Sequence, residues 1–145
     1  LPSRKTRPSG ASWNPTRKRM NHQFSKHYTR DEARALLPKI RRWLEELDRL
    51  RHVMENVDNR LVGLLQQGDV GGDVANRWVR TLAAIQDLLQ EFEVRQIQIK
   101  DVDRGLIDFP AIIDGREVFL CWEKDEDDIE FWHDIDSGYA GRERL

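Results

Sequence analysis

From Leu36 onward, the apolar residues Leu36, Ile40, Trp43, Leu47, Leu50, Met54, Val57, Leu61 and Leu64 follow one another in alternating steps of four and three. That spacing is the a/d seam of a heptad, held for about four heptads. It demands a long helix that lays one narrow apolar stripe against a partner. It calls for helix pairing and carries no chemistry of its own.

The start of the helix is marked locally. Thr29 stands where an N-cap belongs, and Glu32 follows three residues later. This is the capping-box spacing, in which two orphan backbone N–H groups are satisfied reciprocally. Pro38 predicts a kink, or a short first turn ahead of the main rod. Gly68, Gly71 and Gly72 mark the end. A second seam follows from an expected N-cap at Asp73: Trp78, Leu82, Ile85, Leu89, Phe92, Gln96 and Ile99. It predicts a helix reaching about Lys100. The short Gly-rich connection predicts that the two helices lie antiparallel as a coiled-coil-like hairpin over residues 29–100.

Charge divides the chain differently. Residues 1–28 contain seven basic groups and no acid; residues 101–145 contain fourteen acids against five basic groups. The basic stretch lacks periodicity and is expected to be a disordered arm. Two readings of it stand side by side. Residues 1–19 could be an extension ahead of Met20, or the arm could touch nucleic acid with Trp13 stacking on a base. A lone cysteine, Cys121, excludes an internal disulfide and a zinc site built from several cysteines. Apolar runs are too short for a membrane-spanning helix, and no secretory signal is evident, so a cytoplasmic location is expected.

Residues 101–145 predict a small three-stranded antiparallel meander and a closing tail, packed as one α+β domain with the helical base. Leu106–Ile113 and Arg116–Trp122 flank Asp114-Gly115, a favoured two-residue turn. A second turn near Lys124-Asp125 leads to a third strand, 128–133. In that register Ile107, Phe109, Ala111, Val118, Leu120, Trp122, Ile129, Phe131 and His133 share the helix-facing side. Asp108, Phe119, Cys121 and Trp132 take the other. Tyr139 is the expected anchor of the tail.

The string Asp103-Arg104-Gly105-Leu106-Ile107-Asp108-Phe109-Pro110-Ala111 is followed by Gly115-Arg116-Glu117-Val118, Leu120-Cys121-Trp122, Glu126, Trp132-His133 and Gly141-Arg142. Together these resemble the family catalogued as domain of unknown function 2203, over about residues 24–145. Where the family pattern has Gly-Glu in the second turn, this chain has Asp125-Glu126. The resemblance implies a cytosolic bacterial protein with no established activity. It supplies no catalytic residues.

Asp108, Glu126, Trp132, His133 and Arg142 form the candidate functional cluster. Asp, Glu and His are the residue types that bind divalent metals or move protons. The bland alternatives are equally specific. Asp108 could cap the Gly105 turn or pair with Arg104, His133 could be a core-edge histidine, and Arg142 could tie the tail to an acid. Cys121 lies in an apolar strand and is expected to be inert packing. No cofactor is expected. Two function classes follow: a non-enzymatic interaction or self-assembly module, and a small metal- or ligand-binding enzyme. The seams favour the first. Met54, Val57, Leu61, Leu64, Trp78 and Leu82, distant from any sheet that could cover them, are the expected surface of a homodimer.

Overall fold

The computed structural model describes residues 21–68 and 72–145. The expectations for Trp13, Met20 and Gly71 lie outside the described residues. Helix α1 spans Arg30–Gln66 and α2 spans Asp73–Glu93. Five strands follow: β1 Gln98–Asp101, β2 Leu106–Ile113, β3 Arg116–Glu123, β4 Phe131–Asp134 and β5 Glu143–Arg144. They form one antiparallel sheet in the order β1-β2-β3-β4-β5. The fold is α+β, with five strands where three were expected.

The capping box closes as expected: the Glu32 N–H donates to Thr29 Oγ1 at 3.1 Å, and the Thr29 N–H donates to Glu32 Oε2 at 3.1 Å. Pro38 lies inside α1 and has no N–H for the preceding turn, yet the helix runs on through it. Leu37 and Ile40 on either side of it are buried and hold that turn against the sheet. Trp43 meets Phe92 edge to face at 5.2 Å, and Trp78 Nε1 donates to Asp58 at 2.5 Å. Positions therefore climb along one helix as they descend along the other.

Helix α2 departs from expectation at both ends. Gly72, with φ +86°, occupies the N-cap without a side-chain bond, and Asp73 becomes the first helical residue. The helix then stops at Glu93, not Lys100. The Gln96 N–H donates to the Glu93 carbonyl and the Ile97 N–H to the Phe92 carbonyl, the bond pair of a Schellman ending. Gln96 takes the left-handed conformation there, with φ +57°, in the place usually held by glycine. Its side-chain oxygen is held by the N–H groups of Ser25 and Lys26. The chain turns early, and Ile99 enters β1.

Strands β2 and β3 pair through the Asp114-Gly115 turn, whose φ values of 50° and 77° suit its two-residue form. Pro110 sits in β2 where the partner on the other side has already ended: β1 pairs only as far as Asp108. The Pro110 carbonyl receives the Tyr28 N–H at 2.7 Å. The proline nitrogen points the same way, so no ladder bond is lost.

The third-strand register is corrected by one residue. Phe131 pairs with Cys121, Trp132 with Leu120 and His133 with Phe119. Trp132 therefore joins the helix side and His133 the opposite side. The expected register carried Ile129 onward without a break, but the strand begins only at Phe131. Ile129 itself stays in the core.

The sheet's helix side packs Ile107, Phe109, Val118, Leu120 and Trp122 against Leu37, Ile40, Leu44 and Phe92. The first six residues of β2 are all buried, so its opposite side is covered as well. Part of that cover comes from the segment ahead of α1. Phe24 packs on Phe119 at 5.4 Å there, while on the helix side Tyr28 packs on Phe109 at 5.6 Å and donates its hydroxyl to the Arg95 carbonyl. Residues 21–28, assigned by composition to a disordered arm, thus make defined contacts. Among the described residues no helix is long and apolar enough to cross a membrane.

Two arginines fasten α1 to the loop before β4. Arg41 donates to the carbonyls of Lys124 and Glu126 at 2.5 and 2.8 Å. Arg34 grips Asp128 with both Nε (2.8 Å) and Nη2 (2.9 Å). The Arg34 bond holds the Asp128 carboxyl down at about 2. A depressed carboxyl stabilises the fold above its unfolded value near 3.8, and the contribution disappears as pH falls through 2. Carboxyl-carbon NMR titration should show Asp128 titrating near 2 in the native chain and higher in Arg34→Ala, where the Ile129 N–H bond and Arg30 still hold it below the ordinary carboxylate value.

Candidate functional site

On the side of the sheet away from the helices, the β2–β3 register sets Asp108 directly opposite Cys121. The corrected β4 register brings His133 beside them. All three are buried, and their Oδ, Sγ and ring-nitrogen atoms lie within 4.8 Å of one another. His133 Nε2 is 3.0 Å from Asp108 Oδ2, and His133 Nδ1 is 2.8 Å from the Asp134 carbonyl. A carbonyl only accepts, so Nδ1 carries a hydrogen. Nε2 and Oδ2 then share one more. Asp108 Oδ1 has no protein partner. Phe119 lies against the His133 ring at 5.5 Å. A cavity of about 190 Å³ opens beside the pair, lined by Lys100, Leu106, Asp108, Phe119, His133 and Tyr139.

A second pair lies across Cys121. Arg142 Nη2 donates to Glu126 Oε1 at 2.5 Å, and its Nη1 is 3.8 Å from Glu123 Oε2. The guanidinium stacks on Phe131 at 3.9 Å and on Tyr139 at 4.6 Å. Burial alone would lower the Arg142 pKa, but the Glu126 bond together with the Cys121 and Tyr139 interactions outweighs it and the net direction is upward. Glu126 Oε2 accepts the Glu123 N–H, and its backbone carbonyl accepts from Trp122 Nε1 and Arg41. The carboxylate that holds the tail therefore sits on a turn pinned to α1.

Four of the five candidate residues thus converge around Cys121: Asp108 with His133, and Glu126 with Arg142. Trp132 does not join them, because it points toward the helices. The bland partners expected for Asp108 are taken elsewhere. Arg104 pairs with Glu123 at 2.7 Å, and Asp101 accepts the Arg104 N–H in the Gly105 turn. Tyr139, though 39% exposed, donates to Glu123 Oε2 at 3.3 Å and stacks beneath Arg104 and Arg142, so it holds the tail together with Arg142.

Sequence reasoning passed over Cys121 as part of this cluster, although the signal was available. Counting outward from the Asp114-Gly115 turn places residues 108 and 121 opposite each other. The thiol is no nucleophile here. Burial first, then the Asp108 charge, pushes it up to about 12 despite the opposing effect of Arg142. A chromogenic disulfide reagent at pH 8 should therefore leave Cys121 unmodified in the native chain and titrate one thiol after unfolding. Rapid reaction of the folded protein would contradict this placement. The arrangement is best suited to joining two sheet strands and the tail through buried polar bonds.

No curated protein and no solved structure matched this sequence. A family model does match, over residues 26–145, which include both helices, the sheet and every residue of the cluster. The chain belongs to the family described as "Uncharacterized conserved protein (DUF2203)".

Proposed function

We propose that this chain is a non-enzymatic interaction module that self-associates through the distal half of a helical hairpin, with the sheet as a compact head. One observation carries the reading: helix α2 buries only Thr81 and Phe92 along its whole length. Toward the end remote from the sheet, Val62, Leu65 and Val79 are each at least half exposed, at 53, 50 and 58%. Met54, Leu61, Leu64, Trp78 and Leu82 are only partly covered. Val57 is the exception within the expected surface, being already buried inside the chain. Full burial of a Leu or Val side chain stabilises by about 1.5–3 kcal/mol. A second copy placed across these positions would complete a four-helix arrangement with no further parts.

Sedimentation equilibrium at micromolar concentration tests the reading. A mass of twice 17.1 kDa is expected for the native chain, and Leu61→Glu should return it to one copy while the sheet stays folded. A single-copy mass for the native chain would overturn the proposal.

A second reading, small-ligand binding at the head, is favoured by the unpartnered Asp108 Oδ1 beside the 190 Å³ cavity. That volume is below the usual range of about 300–1,000 Å³ for ligand pockets, which places this reading behind the first.

A further inference from the structure

A separate set of donors lies where the segment before α1 crosses the start of β3. Glu117, largely buried, accepts the Gln23 N–H on Oε1 at 2.7 Å and the Phe24 N–H on Oε2 at 3.1 Å. His27 Nε2 is 2.7 Å from Glu117 Oε2, and His22 Nδ1 is 4.0 Å from the same oxygen. The two imidazole rings stand 5.1 Å apart at 72°. One ligating atom from each residue falls within a 4.8 Å group.

From this geometry we propose that His22, His27 and Glu117 form a site for a divalent transition-metal ion of the zinc class. Zinc takes nitrogen and carboxylate donors at about 2.0–2.2 Å in tetrahedral array. Tetrahedral donors at that radius stand roughly 3.3 Å apart. The two separations from Glu117 Oε2, 2.7 and 4.0 Å, bracket that value. His27 and Glu117 would part slightly and His22 would move closer; the His22 side chain, 37% exposed, has room to do so.

The carboxylate is already oriented. Two backbone N–H bonds fix its plane, the role that outer-shell partners play around metal ligands. Two imidazoles and one carboxylate select zinc, cobalt, nickel or copper over magnesium and calcium, which prefer all-oxygen shells. Three protein ligands leave one position facing solvent, as in sites that exchange a water or accept an outside ligand.

Competition from the rest of the N-terminal segment is absent in sequence: residues 1–20 contain no His, Cys, Asp or Glu. His27 and Glu117 lie within the residues matched by the family model, and His22 precedes them. A bound ion would join segments some 90 residues apart, so occupancy should stabilise the fold.

Titration of the chelator-treated full chain with zinc chloride, followed by calorimetry, tests the proposal. One equivalent with a micromolar or tighter Kd is expected, with a rise in Tm at saturation. His22→Ala should weaken binding at least tenfold. Among the described residues His22 meets the fold through the His27 ring and a 4.0 Å approach to Glu117 with its side chain 37% exposed, so the metal-free Tm of that variant should stay close to the native value. Cobalt(II) should give a visible d–d band without a thiolate charge-transfer band. Failure to bind zinc, or binding unchanged in His22→Ala, would overturn the proposal. So would a thiolate band, which would place the ion at Cys121.

Discussion

Asp108→Ala should lower the stability of the fold by about 3–5 kcal/mol, the usual cost of removing one partner from a buried polar pair. The reason is what remains behind. His133 Nε2 would keep its place among Phe119 and the sheet with nothing to bond, while Nδ1 stays committed to the Asp134 carbonyl. Asp108→Asn should cost far less, about 1–2 kcal/mol, because its amide N–H can donate to Nε2. Urea unfolding of the two variants checks this. Equal losses would show that charge matters and hydrogen-bond pairing does not. No loss in either would mean that the pair is not structural, and would move the cavity-binding reading ahead.

Gly105→Val should cost about 2–5 kcal/mol. Two effects combine at this position. Gly105 has φ +63°, a conformation that penalises any side chain by roughly 1–2 kcal/mol. A Cβ there would also stand 2.6 Å from Lys124 Cβ, 2.8 Å from its Cδ and 2.9 Å from its Cγ. The nearest of these belongs to the backbone-fixed base of the side chain and cannot swing away, so the end of β3 would have to shift, at about 1–3 kcal/mol. Gly68 supplies the control. It has φ +80° with nothing within 4 Å of a built Cβ, so Gly68→Ala should show the conformational term alone. Thermal unfolding of both variants separates the two terms. Equal shifts would show that the crowding at Lys124 is relieved at no cost.

What could be read from the sequence was whatever is encoded within a few residues. The Thr29–Glu32 box, the long α1 helix and the Asp114-Gly115 turn are encoded locally, and the structure has each of them, although α1 buries Ala33, Leu37 and Leu44 where the predicted seam had Leu36 and Trp43. The end of α2 was hidden because its apolar steps continue through Gln96 and Ile99. The left-handed ending falls on a glutamine whose side chain is satisfied by Ser25 and Lys26, about seventy positions away. β1 was lost with it. The register of β4 was hidden because the loop from Lys124 to Glu130 is held from outside, by Arg34 and Arg41 of α1. A slip of one residue there moved His133 to the side of Asp108 and Trp132 away from it. Four of the five candidate residues come together as the pairs Asp108–His133 and Glu126–Arg142, bonds that could not be foreseen from the sequence.

The margins of the sheet have a consequence for how copies of this chain can meet. β1 is four residues long, and its pairing with β2 is interrupted between Ile99 and Asp101. β5 is two residues long, both charged and exposed. Neither margin offers the long, flat row of free N–H and C=O groups on which another strand could be templated. Sheet-to-sheet growth, the usual route from a small β-protein to a fibril, is blocked at both ends. The proposed self-association would then rest on side-chain packing between helices, a contact that closes once one partner has been added.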